Sequence, residues 1–217
     1  MSDGAVIALG VVAAYVAGSL PTAYLAGRAK GVDLRRHGSG NLGATNAWRV
    51  LGWKIGLPVY LVDTLKGALP VLLLPRPNAQ PELAAIAFGV AAIVGHVRPV
   101  FLGFQRGGKG VATAGGVFAA LAPKAMLVAF AVFALVFLST GYVSLGSLSA
   151  ALALPISLLV IDGPRVGPVL VIAGVVAAFV FWTHRANIGR LRRGEESRFR
   201  FGRRGRAADA GSAEAHR

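Results

Sequence analysis

Four stretches of the chain, residues 5–25, 55–74, 145–161 and 166–182, carry no charged side chain except Asp63 and Lys66. A helix needs roughly 20 mostly apolar residues to cross the hydrocarbon core of a bilayer, and these stretches approach or meet that length. Composition agrees: 55% of the residues are hydrophobic and 15% are charged, where a water-soluble domain of this size has about a quarter charged. Three further runs, 83–95, 111–121 and 125–138, are apolar but short, and glycine, proline or charge separates them. They read as short or tilted helices, or as re-entrant pieces. The sequence therefore predicts an all-α, polytopic integral membrane protein with seven transmembrane helices, or five if 111–138 does not cross twice. Both counts are odd, so the termini are expected on opposite sides. The first run reads as a span that is kept, because no basic residue precedes it and Asp3 stands where a signal peptide would be positive.

Positive charge decides which way the chain faces. In the seven-helix reading 19 of the 23 Lys and Arg residues fall on one side. Arg28 to Lys54 contribute six, Arg98, Arg106 and Lys109 three more, and the segment from Arg185 to Arg217 ten. Only Arg76, Lys124 and Arg165 fall on the other side, and Lys66 lies inside a span. The positive-inside rule makes the rich side cytoplasmic, with the N-terminus outside and the C-terminus cytoplasmic. A net charge of +14 is also found in nucleic-acid binders, but here long apolar runs lie between the charges, so no nucleic-acid partner is expected. Residues 1–199 are expected to form one membrane-embedded domain. Residues 200–217 read as a basic, disordered cytoplasmic tail against anionic headgroups.

Three polar segments fall on the cytoplasmic face: residues 37–46 followed by Arg49, residues 95–99 with 107–113, and residues 184–195. Glycines let backbone N–H groups turn toward an anion, Ser, Thr and Asn supply neutral hydrogen bonds, and Arg and Lys supply charge. The ligand these segments suit is phosphate. Cysteine is absent, which excludes disulfides, thiol nucleophiles and cysteine metal sites. Carboxylates are scarce in the three segments, so no metal cage is expected and metal-dependent phosphotransfer is disfavoured. Gly103 to Lys109 has the spacing of a Walker A loop by accident, but Gly110 stands where Ser or Thr must meet Mg²⁺.

Other residues have two readings each. Asp63 and Lys66 lie three apart on one helix face, as a structural ion pair near a helix end or as part of a site. His37 and His96 sit at loop edges, where packing or a supporting hydrogen bond fits best. His184 and Asn187 face the membrane surface together at the end of the last span, and a functional role is expected for them. Trp48, Trp53 and Trp182 suit an interfacial belt. Gly18, Gly89 and Gly174 suit close helix packing in lipid. A Ser-His-Asp hydrolase is unsupported, since no Gly-x-Ser-x-Gly elbow is present and no acid is well placed for any histidine. The His-x4-Asp signature of soluble-domain acyltransferases is also missing, because Leu42, Phe101 and Gly189 stand five residues after His37, His96 and His184.

Residues 38–46, residues 95–101 with 107–113, and residues 184–191 resemble, in order and at family spacing, the three motifs of the PlsY family, the bacterial acyl-phosphate:glycerol-3-phosphate acyltransferases. The resemblance runs from Gly18 to about Glu195 and leaves the basic tail outside it. It implies a seven-helix membrane enzyme that moves an acyl chain from acyl phosphate to the 1-hydroxyl of glycerol 3-phosphate, giving lysophosphatidic acid and phosphate without a cofactor. Position by position, it implies catalytic roles for Ser39, Lys109, His184 and Asn187. Phosphate or substrate binding falls to Asn41, Thr45, Asn46, Arg49, Gly107, Gly108 and Gly110, and the family's serine before the sixth helix matches Ser144 or Ser147. The expected location is the bacterial inner membrane, and the expected partners are the two substrates, membrane lipid and the enzyme that makes acyl phosphate. The residues fit this chemistry independently: acyl phosphate brings its own leaving group, so positioning and oxyanion stabilisation can replace a covalent nucleophile. His184 or the departing phosphate would take the hydroxyl proton. A membrane transporter or channel for phosphate or another anion is the competing class, but it calls for polar residues at the midplane of several spans and for repeated halves.

Overall fold

The computed structural model describes residues 2–163 and 167–199, so the tail at 200–217 and Arg165 lie outside the described residues. The elements are helices: α1 (Asp3–Gly18), α2 (Thr22–Ala29), α3 (Ala44–Leu51), α4 (Trp53–Leu73), α5 (Pro81–Val97), α6 (Val111–Leu121), α7 (Pro123–Thr140), α8 (Val143–Asp162), α9 (Pro168–Thr183) and α10 (Arg185–Arg192). Among the described residues five helical stretches are long and apolar enough to cross a membrane, or six if α9 and α10, bent by 59°, count as one span. Two runs that read as short in the sequence extend to Pro81–Leu102 and Pro123–Thr140. Pro81 and Pro123 stand at the first helical positions, where a missing N–H costs nothing, so each helix begins before its apolar run. Only α6, with 11 residues, stays short.

The first span is broken between α1 and α2. Pro21 lacks an N–H and its ring forces Leu20 out of helical backbone. The Leu20 carbonyl there accepts a hydrogen bond from Lys66 Nζ at 2.8 Å, and the same ammonium lies 2.8 Å from the Asp63 carboxylate. Asp63 and Lys66, in the middle of α4, are thus paired with each other and tied to the break in the neighbouring helix.

Two ends of the bundle are distinguishable. One brings together Glu82 at the start of α5, the turn from Leu121 to Lys124, Ile161 near the end of α8, and Gly167 before α9. The other gathers the three polar segments. Helix α6 therefore runs from the polar end to the far end in 11 residues, about 16 Å of rise. Segment 107–110 makes up the missing length: it lies back along the end of α5, where Gly107 N–H donates to the Val97 carbonyl and Gly108 N–H to the His96 carbonyl. These are carbonyls that the helix end leaves without an internal partner.

Helices approach closely where small residues meet. A Cβ on Gly67 would run into the Thr113 carbonyl, and one on Gly116 into the Thr64 carbonyl, which locks α4 against α6. Gly18 meets the Ala92 carbonyl and Gly89 the Val117 side chain, as expected for close packing, whereas Gly174 faces nothing within 4 Å. The core of buried residues joins α4 to α9 through Val71, Phe118, Leu154 and Val176. Large apolar side chains such as Leu127, Leu135, Leu138 and Val160 point outward and stay exposed, as suits a lipid surface. Gly116→Ala is expected to cost about 1–3 kcal/mol through overpacking, read as a fall in the Tm of the detergent-solubilised protein, while Gly174→Ala leaves Tm essentially unchanged.

Candidate functional site

The polar end encloses a cavity of about 570 Å³. Ser39, Asn41, Thr45, Asn46 and Arg49 line it from the first segment, Lys109 and Gly110 from the second, Ser144 and Ser147 from α8, and His184 and Asn187 from the third. The fold therefore brings together residues from all three segments. Gly107 and Gly108 stand apart from this lining, because their N–H groups are spent on α5 as described. In this loop the amides of Lys109 and Gly110, with the first N–H groups of α6, are the backbone donors left beside the cavity.

Two helices begin at the cavity wall. Gly43 precedes α3 and Gly110 precedes α6, and neither helix start has a side-chain cap. Gly110 holds φ +85°, a left-handed turn that lets the chain swing from the end of α5 into α6. Uncapped N–H groups and the positive end of the helix dipole make both starts suitable for an anion. Local hydrogen bonds set the first segment: Asn46 Oδ1 accepts the Ser39 N–H at 2.9 Å, and its Nδ2 donates to the carbonyls of Leu34 and His37. Asn46, 1% exposed, thus ties the loop that presents Ser39.

The third segment is organised by a carboxylate. Glu196 Oε1 accepts from Ser144 Oγ at 2.7 Å and from Asn187 Nδ2 at 2.6 Å, while Oε2 accepts from Arg190 Nε at 2.7 Å. Asn187 Oδ1 in turn accepts from Lys109 Nζ, which links the second and third segments. Ser147 donates instead to the Val143 carbonyl of its own helix, so of the two candidate serines Ser144 belongs to the network. Burial opposes the charge on Glu196, but the hydrogen bonds from Asn187, Ser144 and Arg190 outweigh it and hold its carboxyl below the usual range. Burial pushes the Lys109 ammonium down to about 8; Glu196 works against that shift, and Arg190 and Arg49 add to it.

His184 is buried at the junction of α9 and α10, and its Nδ1 lies 2.8 Å from the Val180 carbonyl. A carbonyl only accepts, so Nδ1 carries the proton and Nε2 keeps a lone pair. His37 pairs with the Asp33 carbonyl at 2.9 Å and takes no place in the cavity lining. Trp53 and Trp182 are more than half exposed, as an interfacial belt requires, while Trp48 packs edge-on against Phe199.

Glu196, Arg190, Asp63 and His96 also line the cavity; sequence reading assigns no role to Glu196 and none of its own to Arg190, leaves Asp63 between an ion pair and a site, and gives His96 only packing or a supporting hydrogen bond. It held that no acid is well placed for a histidine, and the structure corrects this: Asp63 Oδ1 lies 3.6 Å from His96 Nδ1. The two are 33 residues apart on different helices, so spacing carries no trace of the pair. Glu196 did leave a signal, since Glu195 and Glu196 are the only acids between Arg185 and Arg206. Met126, Phe130 and Phe133 of α7, with Val143 and Ala150 of α8, add apolar lining to the same cavity.

Fold and cavity together define an integral membrane protein with a basic, anion-directed site at one end of a helical bundle, continuous with an apolar compartment. Comparison with known proteins narrows the class. Residues 8–194 match the glycerol-3-phosphate acyltransferase family. A glycerol-3-phosphate acyltransferase of Geobacter sulfurreducens is 48% identical over 189 residues, covering 86% of this chain and 94% of that protein. Its counterpart in Chlorobaculum parvum is 43% identical, over 89% and 97%. Crystal structures of PlsY, an integral membrane glycerol 3-phosphate acyltransferase, superpose with TM-scores of 0.82 for the glycerol 3-phosphate form and 0.80 for the lysophosphatidic acid form. Identity is 41% and 40%, each over 89% of this chain and 96% or 95% of the PlsY chain. This chain belongs to the glycerol-3-phosphate acyltransferase family.

The Lys109 ammonium is half neutral near pH 8, and it is charged below that pH. Affinity for inorganic phosphate, measured by calorimetry, is therefore expected to fall as pH rises through about 8. In Lys109→Arg, whose guanidinium stays charged to about pH 12, that fall is expected to disappear.

Proposed function

We propose that this protein transfers a fatty acyl group from acyl phosphate to the 1-hydroxyl of glycerol 3-phosphate, giving lysophosphatidic acid and inorganic phosphate for phospholipid biosynthesis. The observation that carries this reading is the mixed lining of one cavity, in which uncapped helix starts, Lys109 and Arg49 form a cationic part and Phe130 and Phe133 an apolar part. Two phosphates suit the cationic part and an acyl chain the apolar part.

In the proposed reaction the 1-hydroxyl oxygen attacks the acyl carbonyl, the bond from carbonyl carbon to phosphate oxygen breaks, and phosphate leaves with the bonding pair. The hydroxyl proton passes to His184 Nε2, the lone pair that the Val180 hydrogen bond leaves available, or to the leaving phosphate. Arg49, Thr45 and the start of α3 hold one phosphate, while Lys109, Gly110 and the start of α6 hold the other. Asn187 and Glu196 keep Lys109 in place, and Ser39 and Ser144 offer neutral hydrogen bonds at the reacting centre. Because acyl phosphate is an activated anhydride, fixing the two reactants and stabilising the carbonyl oxyanion accounts for most of the acceleration required.

We further propose seven crossings in one domain over residues 1–199, within the bacterial inner membrane, N-terminus outside and active site cytoplasmic. Support comes from α6 and α7: Lys109 before α6 and Ser144 after α7 line the same cavity, whereas the turn between these helices sits at the far end. The chain between them therefore goes across and returns. The excess of Lys and Arg at the polar end supports the orientation.

Purified protein given palmitoyl phosphate and glycerol 3-phosphate is expected to release lysophosphatidic acid and phosphate. Absence of product, or equal turnover with acyl-CoA, overturns the reading of the donor. His184→Ala is expected to lower kcat by about 10²–10⁴-fold with little change in KM if the imidazole is the base. A mainly raised KM assigns the proton to the substrate phosphate and leaves His184 a binding role.

A further inference from the structure

Asp63 and His96 occupy the floor of the cavity, and no step of acyl transfer described above uses them. Both side chains are buried, 2% and 6% exposed. One carboxylate oxygen, Oδ1, meets both neighbours: Lys66 Nζ, itself fixed to the Leu20 carbonyl, at 2.8 Å, and His96 Nδ1 at 3.6 Å, longer than a hydrogen bond. The opposite edge of the imidazole, Nε2 and Cε1, stands where a Cβ on Gly108 would have to go. The backbone of His96 supports the same stretch, since its carbonyl takes the Gly108 N–H. The ring is confined by contact and not by a hydrogen bond, with the Asp63 carboxylate at Nδ1 and the Gly108 backbone at Nε2. Carboxylate, imidazole and glycine loop therefore stack in contact, and the next residue in the loop is Lys109.

We propose that the Asp63–His96 pair is a positioning device for the glycine-rich loop. Asp63 backs the imidazole at van der Waals range, and the edge of the imidazole sets the height at which Gly108 and Lys109 stand at the cavity. His96 is a positioning residue: it acts on substrate phosphate through Lys109. This inference rests on the acyl-transfer reading, and it gives Gly108 a specific reason to be glycine, which is the space taken by the ring.

The test is a double-mutant cycle on the full-length protein, with KM for glycerol 3-phosphate, kcat, and affinity for inorganic phosphate measured on each variant. His96→Ala and Gly108→Ala are each expected to raise KM about tenfold or more while kcat changes by less than about threefold. Removing the ring makes room for the new Cβ, so the double variant is expected to be no worse than the poorer single one. Gly107→Ala is the internal control. Its Cβ would meet the His96 backbone carbonyl, which His96→Ala leaves in place, so those two effects are expected to multiply. Multiplicative effects at Gly108, or a fall in kcat at constant KM in His96→Ala, overturn the proposal. If His96→Ala does not fold, Gly108→Ala alone decides, and unchanged KM and phosphate affinity in that variant overturn it. Lack of turnover in the unmodified protein strikes the acyl-transfer reading instead, and phosphate affinity still reads the loop.

Discussion

Glu196 brings a negative charge into a cavity end crowded with cations. Its two oxygens take hydrogen bonds from α8 through Ser144 and from α10 through Asn187 and Arg190, and Asn187 passes the connection to Lys109. Without that carboxylate, the repulsion that Arg190 and Arg49 exert on Lys109 would lose the charge that opposes it. The strand of chain that follows reinforces the arrangement: Phe199 N–H donates to the Gly141 carbonyl at 2.7 Å, and its ring packs against Trp48. The segment after α10 thus ties α3, the α7–α8 turn and the third polar segment into one frame.

The second constraint is length. An ordinary crossing has about 20 residues, and α6 has 11. Irregular backbone at membrane depth is tolerated only where it is covered by protein or lines a polar space. Segment 107–110 meets that condition on both counts: its first two N–H groups are satisfied by α5, and Lys109 and Gly110 open on the cavity. Shortening the helix moves its positive end, and the lysine beside it, below the level where the neighbouring helices finish.

Much of this was legible in the sequence because membrane physics is strict. The apolar lengths of 55–74 and 145–161 fixed helices close to Trp53–Leu73 and Val143–Asp162, and the charge asymmetry marked the end that carries the site. The three polar segments were visible from composition, and their convergence followed from lying on one face. Four things were not legible. Pro81 and Pro123 extended helices that hydropathy alone cut short, and Pro21 broke one that hydropathy made continuous. Asp63 with His96 is a contact between helices, which no local spacing encodes. Gly107 and Gly108 look like phosphate ligands in one dimension, whereas their N–H groups cap α5 in three.

The recessed start of α6 has a consequence for how reactants meet. The cavity carries cationic and apolar lining together, and Phe130 of α7, part of that lining, is about half exposed. In the proposed reaction a small phosphate ester would come from water, while a chain-bearing molecule would slide in from the plane of the bilayer. For the second reactant concentration is a two-dimensional quantity, moles per unit area of membrane. Turnover then depends on the mole fraction of that lipid among its neighbours, and adding inert lipid dilutes it even when the amount in the vessel is unchanged.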